Sequence, residues 1–181
     1  MERLADVVII AAGPGDAGDI GQVHVRSWRE TYQGLLPQAY LAAMRPEIQA
    51  HRMRKQLTQP KAGEVVLAAE GARGLIGYCA GGLLHADRRL ADAEVFTLYL
   101  VKAAQGGGVG RRLLEAAARA LAAQGAKSLV IWVLSGNHRA RGFYERLGGE
   151  PVSERPVSGW GGGLMETAYG WRDITALSAA P

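Results

Sequence analysis

Residues 94–101, Glu-Val-Phe-Thr-Leu-Tyr-Leu-Val, lead through Lys-Ala-Ala into the glycine-rich segment Gln105-Gly-Gly-Gly-Val-Gly110. The first segment is apolar and rich in β-branched and aromatic residues, as buried strands are, and we predict a strand over 93–101. Apolar side chains recur at helical spacing after the glycines, which predicts a helix from about 108 to 124 that ends at Gly125. The sequence is therefore built around a strand, a glycine loop and a helix in succession.

A glycine loop between a strand and a helix is a common binding site for phosphate groups. Glycines let the backbone approach an anion, and the free N–H groups of the helix's first turn point toward it. Arg111 and Arg112 follow the loop and add positive charge. A P-loop requires Lys and then Ser or Thr after Gly110, and a dinucleotide fingerprint requires an early parallel strand, so neither describes this loop. The loop predicts a phosphate or pyrophosphate ligand, and a loop that binds nothing is the alternative.

Helices and strands continue on both sides of this unit. Hydrophobic spacing and turn residues predict strands over 6–12, 65–69, 75–84, 128–134, 150–157 and 164–171. They predict helices over 16–32, from 35 to 57 with an interruption before Pro46, and from the cap residue Asn137 to Gly148. The order is β-αα-βββ-α-β-α-ββ without an internal repeat or linker, which indicates one α/β domain over 1–181 with a mixed sheet.

Composition argues against several classes of protein. Apolar residues make up 48% and charged residues 21% of the 181 residues, which is typical of a soluble globular domain. No apolar run approaches the roughly 20 residues that span a membrane and no signal-peptide pattern is present, so we expect a cytoplasmic protein. The single cysteine, Cys79, and four scattered histidines predict neither a disulfide nor a metal site. The net charge of +4 comes without a nucleic-acid-binding motif, and we predict no nucleic-acid or membrane partner.

Two motifs together carry a family resemblance. Gln105-x-x-Gly108-x-Gly110 resembles the acetyl-CoA motif of the GNAT superfamily of N-acetyltransferases, and the strand before it resembles that family's central strand. Asn137-x-x-Ala140-x-x-x-Tyr144-x-x-x-Gly148 is similar to a later helix of the family, and residues 27–37 are similar to its first-helix region. The likeness extends from about residue 6 to 171. Three positions depart from the family pattern. Gly107 stands where the family often has a basic residue, Lys102 where it often has a proline, and Gly149 where it often has an aromatic residue.

The resemblance implies the GNAT fold and acetyl-CoA as co-substrate, and it implies roles for particular residues. The main chain of Tyr99, Leu100 and Val101 would bind the pantetheine arm as an added strand does. Asn137 would contact the pantetheine or acetyl region, and Tyr144 would lie near the thioester sulfur. The pyrophosphate would be held by the loop and the residue after it: Gln105, Gly106, Gly107, Gly108, Val109, Gly110 and Arg111.

An amine that attacks the thioester must lose a proton, and the departing thiolate should gain one. Tyr144 is suited to donate a proton to the thiolate. Glu94 is the candidate general base that takes the proton from the amine, directly or through a water. The Leu100 N–H would polarise the carbonyl. The alternatives are that Tyr144 packs in the core and that Glu94 is a solvated charge. Trp28 and Tyr32 are candidates for the acceptor pocket or, equally, for core packing.

The resulting hypothesis is an enzyme that transfers acetyl from acetyl-CoA to a primary amine of a small molecule or peptide by direct attack. The alternatives are a non-catalytic acyl-CoA-binding sensor and an acyltransferase that uses another acyl-CoA. Glu30, Asp92, Glu94 and Glu154 are candidates to attract a cationic acceptor, and Trp160 is a candidate lid. The C-terminal hairpin offers an edge that would allow a homodimer.

Overall fold

The computed structural model describes residues 6–84, 90–157 and 163–179, and its elements follow the predicted order. The strands are β1 (Val8–Ala11), β2 (Glu64–Gly71), β3 (Gly74–Leu83), β4 (Ala93–Leu100), β5 (Leu129–Leu134), β6 (Glu150–Pro156) and β7 (Met165–Trp171). The helices are α1 (Ala17–Thr31), α2 (Gln38–Ala43), α3 (Pro46–Thr58), α4 (Val109–Ala123), α5 (His138–Arg146) and α6 (Ala176–Ala179). The predicted interruption before Pro46 separates α2 from α3, and the short α6 has no counterpart in the predicted order. None of the described helices is long and apolar enough to cross a membrane, and Trp160 lies outside the described residues.

The described strands form one mixed sheet in the order β1-β2-β3-β4-β5-β7-β6. Neighbours among them are antiparallel except β4 and β5, which run parallel and are connected by α4. The predicted hairpins β2–β3 and β6–β7 are confirmed by their registers. Within the described part of the sheet, β4 and β5 pair from Ala93–Leu129 through Val95–Ile131 and then diverge. Their divergence leaves a gap in the middle of the sheet.

A bulge in β4 changes which of its side chains share a face. Val95 pairs with Gly81 on β3, and Thr97 pairs with Ala80, so Phe96 is the extra residue between them. After the bulge, Tyr99 points toward α1, where its ring meets His24 edge-on at 5.2 Å. Glu94 lies on that same face, although it precedes Tyr99 by five positions, an odd offset. In a regular strand such a spacing would place the two side chains on opposite faces.

The two faces of the sheet are covered by different helices. α4 packs across β1 to β4 on one face and contacts α6. On the other face α1 packs on β3 and β4 and pairs with α3. Successive residues of β4 show the division, because Tyr99 meets α1 while Leu100 meets the α4 side beside Gly110. The largest part of the core lies under α4, whose inward side chains Leu113, Leu114 and Leu121 are fully buried.

Gly21 lies where α1 crosses α3. A Cβ at this position would lie 2.5 Å from the carbonyl oxygen of Pro46 and 2.9 Å from the amide nitrogen of Ala50. Backbone atoms cannot move aside cheaply, so Gly21→Ala is expected to lower the free energy of unfolding by about 1–3 kcal/mol, despite the better helix propensity of Ala. Gly18→Ala on the same helix meets nothing within 4 Å and serves as the matched control. Urea denaturation distinguishes them, and equal stability of the two variants would contradict the close crossing.

Candidate active site

The gap between β4 and β5 opens into a cavity of about 610 Å³. Residues 96–100 of β4 and 131–133 of β5 form two of its walls, and the glycine loop and α5 form others. Thr31 and Tyr32, at the end of α1, line the cavity from the face of the sheet that α1 covers. The central strand, the glycine loop and the later helix that stood out in the sequence therefore meet at one cavity.

The main chain of β4 faces the gap at alternate residues. The Val101 N–H donates to the Ile76 carbonyl at 3.0 Å, and the Val101 carbonyl accepts from the Ala104 N–H at 2.9 Å. Alternation along the strand directs the main chain of Tyr99 toward β3 as well, and that of Leu98 and Leu100 toward the gap. The expectation that Tyr99 and Val101 present free main-chain groups to a ligand is therefore wrong, because β3 and the following turn already use them.

Leu98, rather than Tyr99 or Val101, directs its main-chain groups toward the gap together with Leu100, and sequence reasoning missed it. Its main chain has the same orientation as that of Leu100, and both residues line the cavity. The Leu100 carbonyl accepts a hydrogen bond from the side-chain amide of Gln105 at 3.1 Å. Gln105 thus fixes the glycine loop to the end of β4. Strand alternation groups Leu98 with Leu100 in the sequence, but which alternate residues face the gap is decided by the pairing with β3.

The glycine loop has the backbone of an anion site. Gly106 and Gly108 have φ of +86° and +82°, which lies in the left-handed region that other residues rarely adopt. They line the cavity with Gly110, and α4 begins at the next residue after Gly108. The first-turn N–H groups of α4 have no acceptor within the helix and are directed to this end of it. Gly107 and Val109 do not line the cavity, and Val109 is fully buried in the core.

Arginines supply positive charge around the same cavity. Arg111 lines it and pairs with Glu115 at 2.7 Å, whereas Arg112 points away and donates to the Val7 carbonyl at 2.6 Å. The expectation that Arg112 adds charge to the ligand site is thus wrong. Arg139 and Arg146 of α5 also line the cavity, and sequence reasoning missed them. Their separation of seven residues places them on one face of a helix, which was the available signal.

Asn137 and Tyr144 both line the cavity from α5. Asn137 caps the helix as predicted, because its side-chain oxygen accepts from the Ala140 N–H at 3.2 Å. The ring of Tyr144 packs against Tyr169 at 5.8 Å and Trp171 at 6.2 Å between centroids. Burial raises the pKa of the Tyr144 phenol well above its ordinary value, so the group keeps its proton at neutral pH. A buried phenol at the cavity wall is a hydrogen-bond donor.

Aromatic side chains fill the space between α1 and β4. Trp28 stacks on His24 at 5.3 Å and meets Tyr32 edge-on at 4.9 Å. Tyr32 lines the cavity, whereas Trp28 packs behind it. Burial raises the pKa of Tyr32, and a hydrogen bond with Tyr99 partly offsets that rise. Of the two candidates for the acceptor pocket, Tyr32 is therefore the one that the cavity reaches.

His24 gives this cluster a pH-dependent stability. Its Nδ1 is hydrogen-bonded to the Tyr78 hydroxyl at 2.6 Å, and burial, assisted by Arg52, lowers its pKa to about 4. An unfolded histidine has a pKa of about 6.5, so the unfolded chain binds more protons between these values and stability falls as pH drops through that range. The loss is expected to be at most about 3 kcal/mol.

Urea denaturation at pH 7 and pH 5 tests this expectation. His24→Gln should remove most of the difference between the two pH values, whereas the same change at the exposed His51 on α3 should leave it unchanged. The flanking Tyr78 and Tyr99 do not change protonation in this range, because burial raises the pKa of both phenols. An unchanged slope in His24→Gln would contradict the assignment.

Glu94 lies just before the gap. It pairs with Val130 at the second of the described β4–β5 positions, is half-buried, and is not among the residues that line the cavity. Burial raises the pKa of Glu94, Arg155 acts against this rise, and Glu166 adds to it. A carboxylate with a raised pKa is a better proton acceptor than an exposed one. Its role as general base stays a prediction.

The other three acidic candidates for attracting an amine are occupied elsewhere. Glu30 accepts from the Lys102 N–H at 2.6 Å and pairs with Arg26. Asp92 accepts from the N–H groups of Lys127 and Ser128. Glu154 accepts from the Thr167 hydroxyl at 3.2 Å, on the face of the sheet opposite to Glu94. Among the described residues, no group of three or more His, Cys, Asp and Glu is arranged to hold a metal ion.

Comparison with known proteins gives consistent matches. Residues 25–149 match the model of the Acetyltransferase (GNAT) family. YuaI, an uncharacterized N-acetyltransferase of Bacillus subtilis (strain 168), is 30% identical over 163 residues that cover 90% of this chain and 91% of YuaI. The PaiA N-acetyltransferase of Thermoplasma acidophilum, solved in complex with coenzyme A, has a TM-score of 0.74 at 18% identity and covers 91% of this chain and 98% of its own. YncA of Salmonella typhimurium, solved with acetyl-CoA, has a TM-score of 0.68 at 19% identity, with 93% and 94% covered.

Proposed function

This chain belongs to the Acetyltransferase (GNAT) family, and we propose that it transfers an acetyl group from acetyl-CoA to a primary amine of a small molecule or peptide. The observation that carries the proposal is the gap between β4 and β5, which leads to a glycine loop with left-handed backbone at Gly106 and Gly108. A coenzyme with an extended amide-containing arm and a pyrophosphate fits these two parts in that order. PaiA was solved with coenzyme A and YncA with acetyl-CoA, which supports the same ligand here.

The chain's own groups suit each part of that ligand. Leu98 and Leu100 present main-chain groups to the gap, where an extended arm would pair as a strand does. Residues 106–110 would surround the pyrophosphate with backbone N–H groups. The arginines that line the cavity would add side-chain charge, which guanidinium groups provide well for phosphates.

Tyr144 would act on the departing sulfur. Its pKa is raised by burial, so the phenol holds a proton that it can donate as negative charge develops on the sulfur. The Leu98 N–H would donate to the thioester oxygen. Leu98 is better placed for this role than Leu100, because it lies two residues closer to the point where β4 and β5 diverge and farther from the glycine loop.

Glu94 would accept the proton that the amine must lose. An alkylamine has a pKa of about 10, so it arrives as an ammonium ion at neutral pH. Glu94 lies on the strand that leads to the gap, and its raised pKa makes proton acceptance easier. Because it does not line the cavity, transfer through a water is the arrangement that we propose.

Acetyl-CoA binding followed by a transfer assay tests the function. We expect micromolar binding by calorimetry, release of the coenzyme thiol that depends on added amine, and a product one acetyl group heavier than the amine. Binding without amine-dependent release across a broad panel would favour the sensor alternative. Faster release from a longer acyl-CoA would favour the other acyltransferase. Folded protein that fails to bind acetyl-CoA would contradict the proposal. The homodimer and the cytoplasmic location stay predictions.

A further inference from the structure

One face of the sheet beside the gap carries charged and aromatic side chains together. Alternation along β5 places Trp132 and Leu134 on one face, and Leu134 packs with the residues of α1 and α2. Glu166 pairs with Leu134 in register, and Arg155 pairs with Glu166. Glu94 lies on the same face, because it pairs with Val130, which is two residues before Trp132 on β5. Glu94, Trp132, Arg155 and Glu166 form what we call the charged patch.

Trp132 connects the charged patch to the cavity. It lines the cavity beside the point where β4 and β5 diverge, and the Arg155 guanidinium lies 3.9 Å above the centre of its ring. An amine that reached the thioester from the face of α1 would therefore pass over these side chains. Phe96, which is 46% exposed, adds apolar surface on the neighbouring strand.

Arg155 is held in one orientation by two contacts. Its Nε donates to Glu166 Oε1 at 2.5 Å, and its guanidinium carbon lies over the Trp132 ring. The two terminal nitrogens have no partner among the residues that the structure describes, and the side chain is 56% exposed. A guanidinium that is held by two contacts and has a free outer edge is suited to bind a carboxylate through two parallel hydrogen bonds.

The remaining charge of the patch is negative. Glu166 is already paired with Arg155, so the carboxylate left for a ligand is that of Glu94. Glu94 and Arg155 lie beside the same stretch of β5, because Glu94 pairs with Val130 and the Arg155 guanidinium lies over Trp132. In agreement with this placement, Arg155 lowers the Glu94 pKa and Glu166 raises it. The patch therefore offers one anionic group and one cationic edge beside an aromatic ring.

We infer that the acceptor is an amino acid or a similar amino-carboxylate, with its amine directed to Glu94 and its carboxylate bound by Arg155. The inference rests on the proposed function and adds the class of substrate. A diamine would leave the outer edge of Arg155 facing a second positive charge, and a simple alkylamine would leave it without a partner. A zwitterion satisfies both charges at once.

A length series of acceptors tests the inference. The series consists of α-amino acids and ω-amino acids with two to six carbons, each compared with the alkylamine of the same length and with the corresponding diamine. We expect at least one amino acid to exceed its matched alkylamine by at least tenfold in kcat/KM. Calorimetry should show that the same amino acid binds to the protein saturated with coenzyme A, which gives a readout that does not depend on turnover.

Arg155→Gln is the diagnostic variant. It is expected to lower kcat/KM for the preferred amino acid at least tenfold more than kcat/KM for the matched alkylamine, and to abolish the calorimetric signal of the amino acid. The alkylamine reports the part of the effect that comes from the change in the Glu94 pKa when the neighbouring guanidinium is lost. Arg155→Lys should restore part of the preference, since a lysine keeps the charge but not the fork of donors. The exposed Arg119 on α4, changed to Gln, is the matched control and should behave as the wild type does. Unchanged acetyl-CoA affinity in all variants establishes that the site is intact.

The outcomes separate this inference from the proposed function. Transfer that is equally fast with alkylamines and amino acids, or a preference that Arg155→Gln does not change, overturns the inference and leaves the transferase standing. Faster transfer to diamines also overturns it and identifies a cationic acceptor. A wild-type protein that binds no acetyl-CoA overturns the proposed function, and this inference falls with it.

Discussion

Tyr144→Phe is expected to lower kcat by about 100-fold, since general acid catalysis by a positioned side chain typically contributes between 10² and 10⁴. The change removes the phenol hydroxyl and keeps the ring that packs between Tyr169 and Trp171. Acetyl-CoA affinity and thermal stability should therefore change little, while the chemical step slows. Steady-state rates at saturating amine, together with calorimetry of the coenzyme, measure the two effects separately.

Tyr169→Phe provides the matched control. The Tyr169 hydroxyl donates to Glu145 at 2.6 Å and accepts from the Arg141 guanidinium at 3.0 Å, and the residue does not line the cavity. Loss of the Tyr169 hydroxyl should lower the free energy of unfolding by about 1–3 kcal/mol and leave kcat within a few-fold of wild type. Equal loss of kcat in the two variants, or none in Tyr144→Phe, would remove Tyr144 from the reaction.

Gly108→Asp is expected to weaken acetyl-CoA binding by at least 100-fold. The substitution puts a carboxylate at the start of α4, where the pyrophosphate would lie, and forces a side-chain-bearing residue to a φ of +82°. Repulsion between anions at close range and the loss of the left-handed glycine both act against the ligand. Calorimetric titration with acetyl-CoA measures the effect.

Gly125→Asp separates repulsion from strain. Gly125 follows the other end of the same helix, has a φ of +97°, and has nothing within 4 Å of an added Cβ, as is also true of Gly108. Both variants should lose about 1–2 kcal/mol of stability to the same backbone strain. Only Gly108→Asp should also lose acetyl-CoA binding. If both variants or neither lost acetyl-CoA binding, the loop would not be the pyrophosphate site.

The order of elements was predictable because local signals determined it. Apolar spacing in α4, the cap at Asn137 and the stops at Gly125 and Gly148 each lie within a few residues of the boundary that they mark. The loop residues of the site were predictable for the same reason. Left-handed backbone at Gly106 and Gly108 is a local requirement that glycine fulfils.

Features that depend on pairing between strands were not predictable in this way. The bulge at Phe96 changes the face on which later β4 residues lie, and nothing in the sequence of β4 marks it. The availability of Leu98 rather than Val101 follows from the bond between Val101 and Ile76, which are far apart in the chain. The removal of Glu30 and Asp92 as acceptor-binding candidates likewise depends on distant backbone amides, Lys102 and Lys127 among them. The separation of Arg111 from Arg112 depends on where β1 lies.

The short parallel pairing between β4 and β5 also has a consequence for the lifetime of the protein. Within the described part of the sheet, three residue pairs join the half that contains β1 to β4 to the half that contains β5 to β7. A coenzyme bound along the gap would contact both halves of the sheet, as an added strand does. Coenzyme binding would therefore stabilise the folded state, and folding and binding would be linked thermodynamically. A cell that runs short of acetyl-CoA would then lose more than the donor of the reaction. It would also lose part of the enzyme's protection against proteolysis.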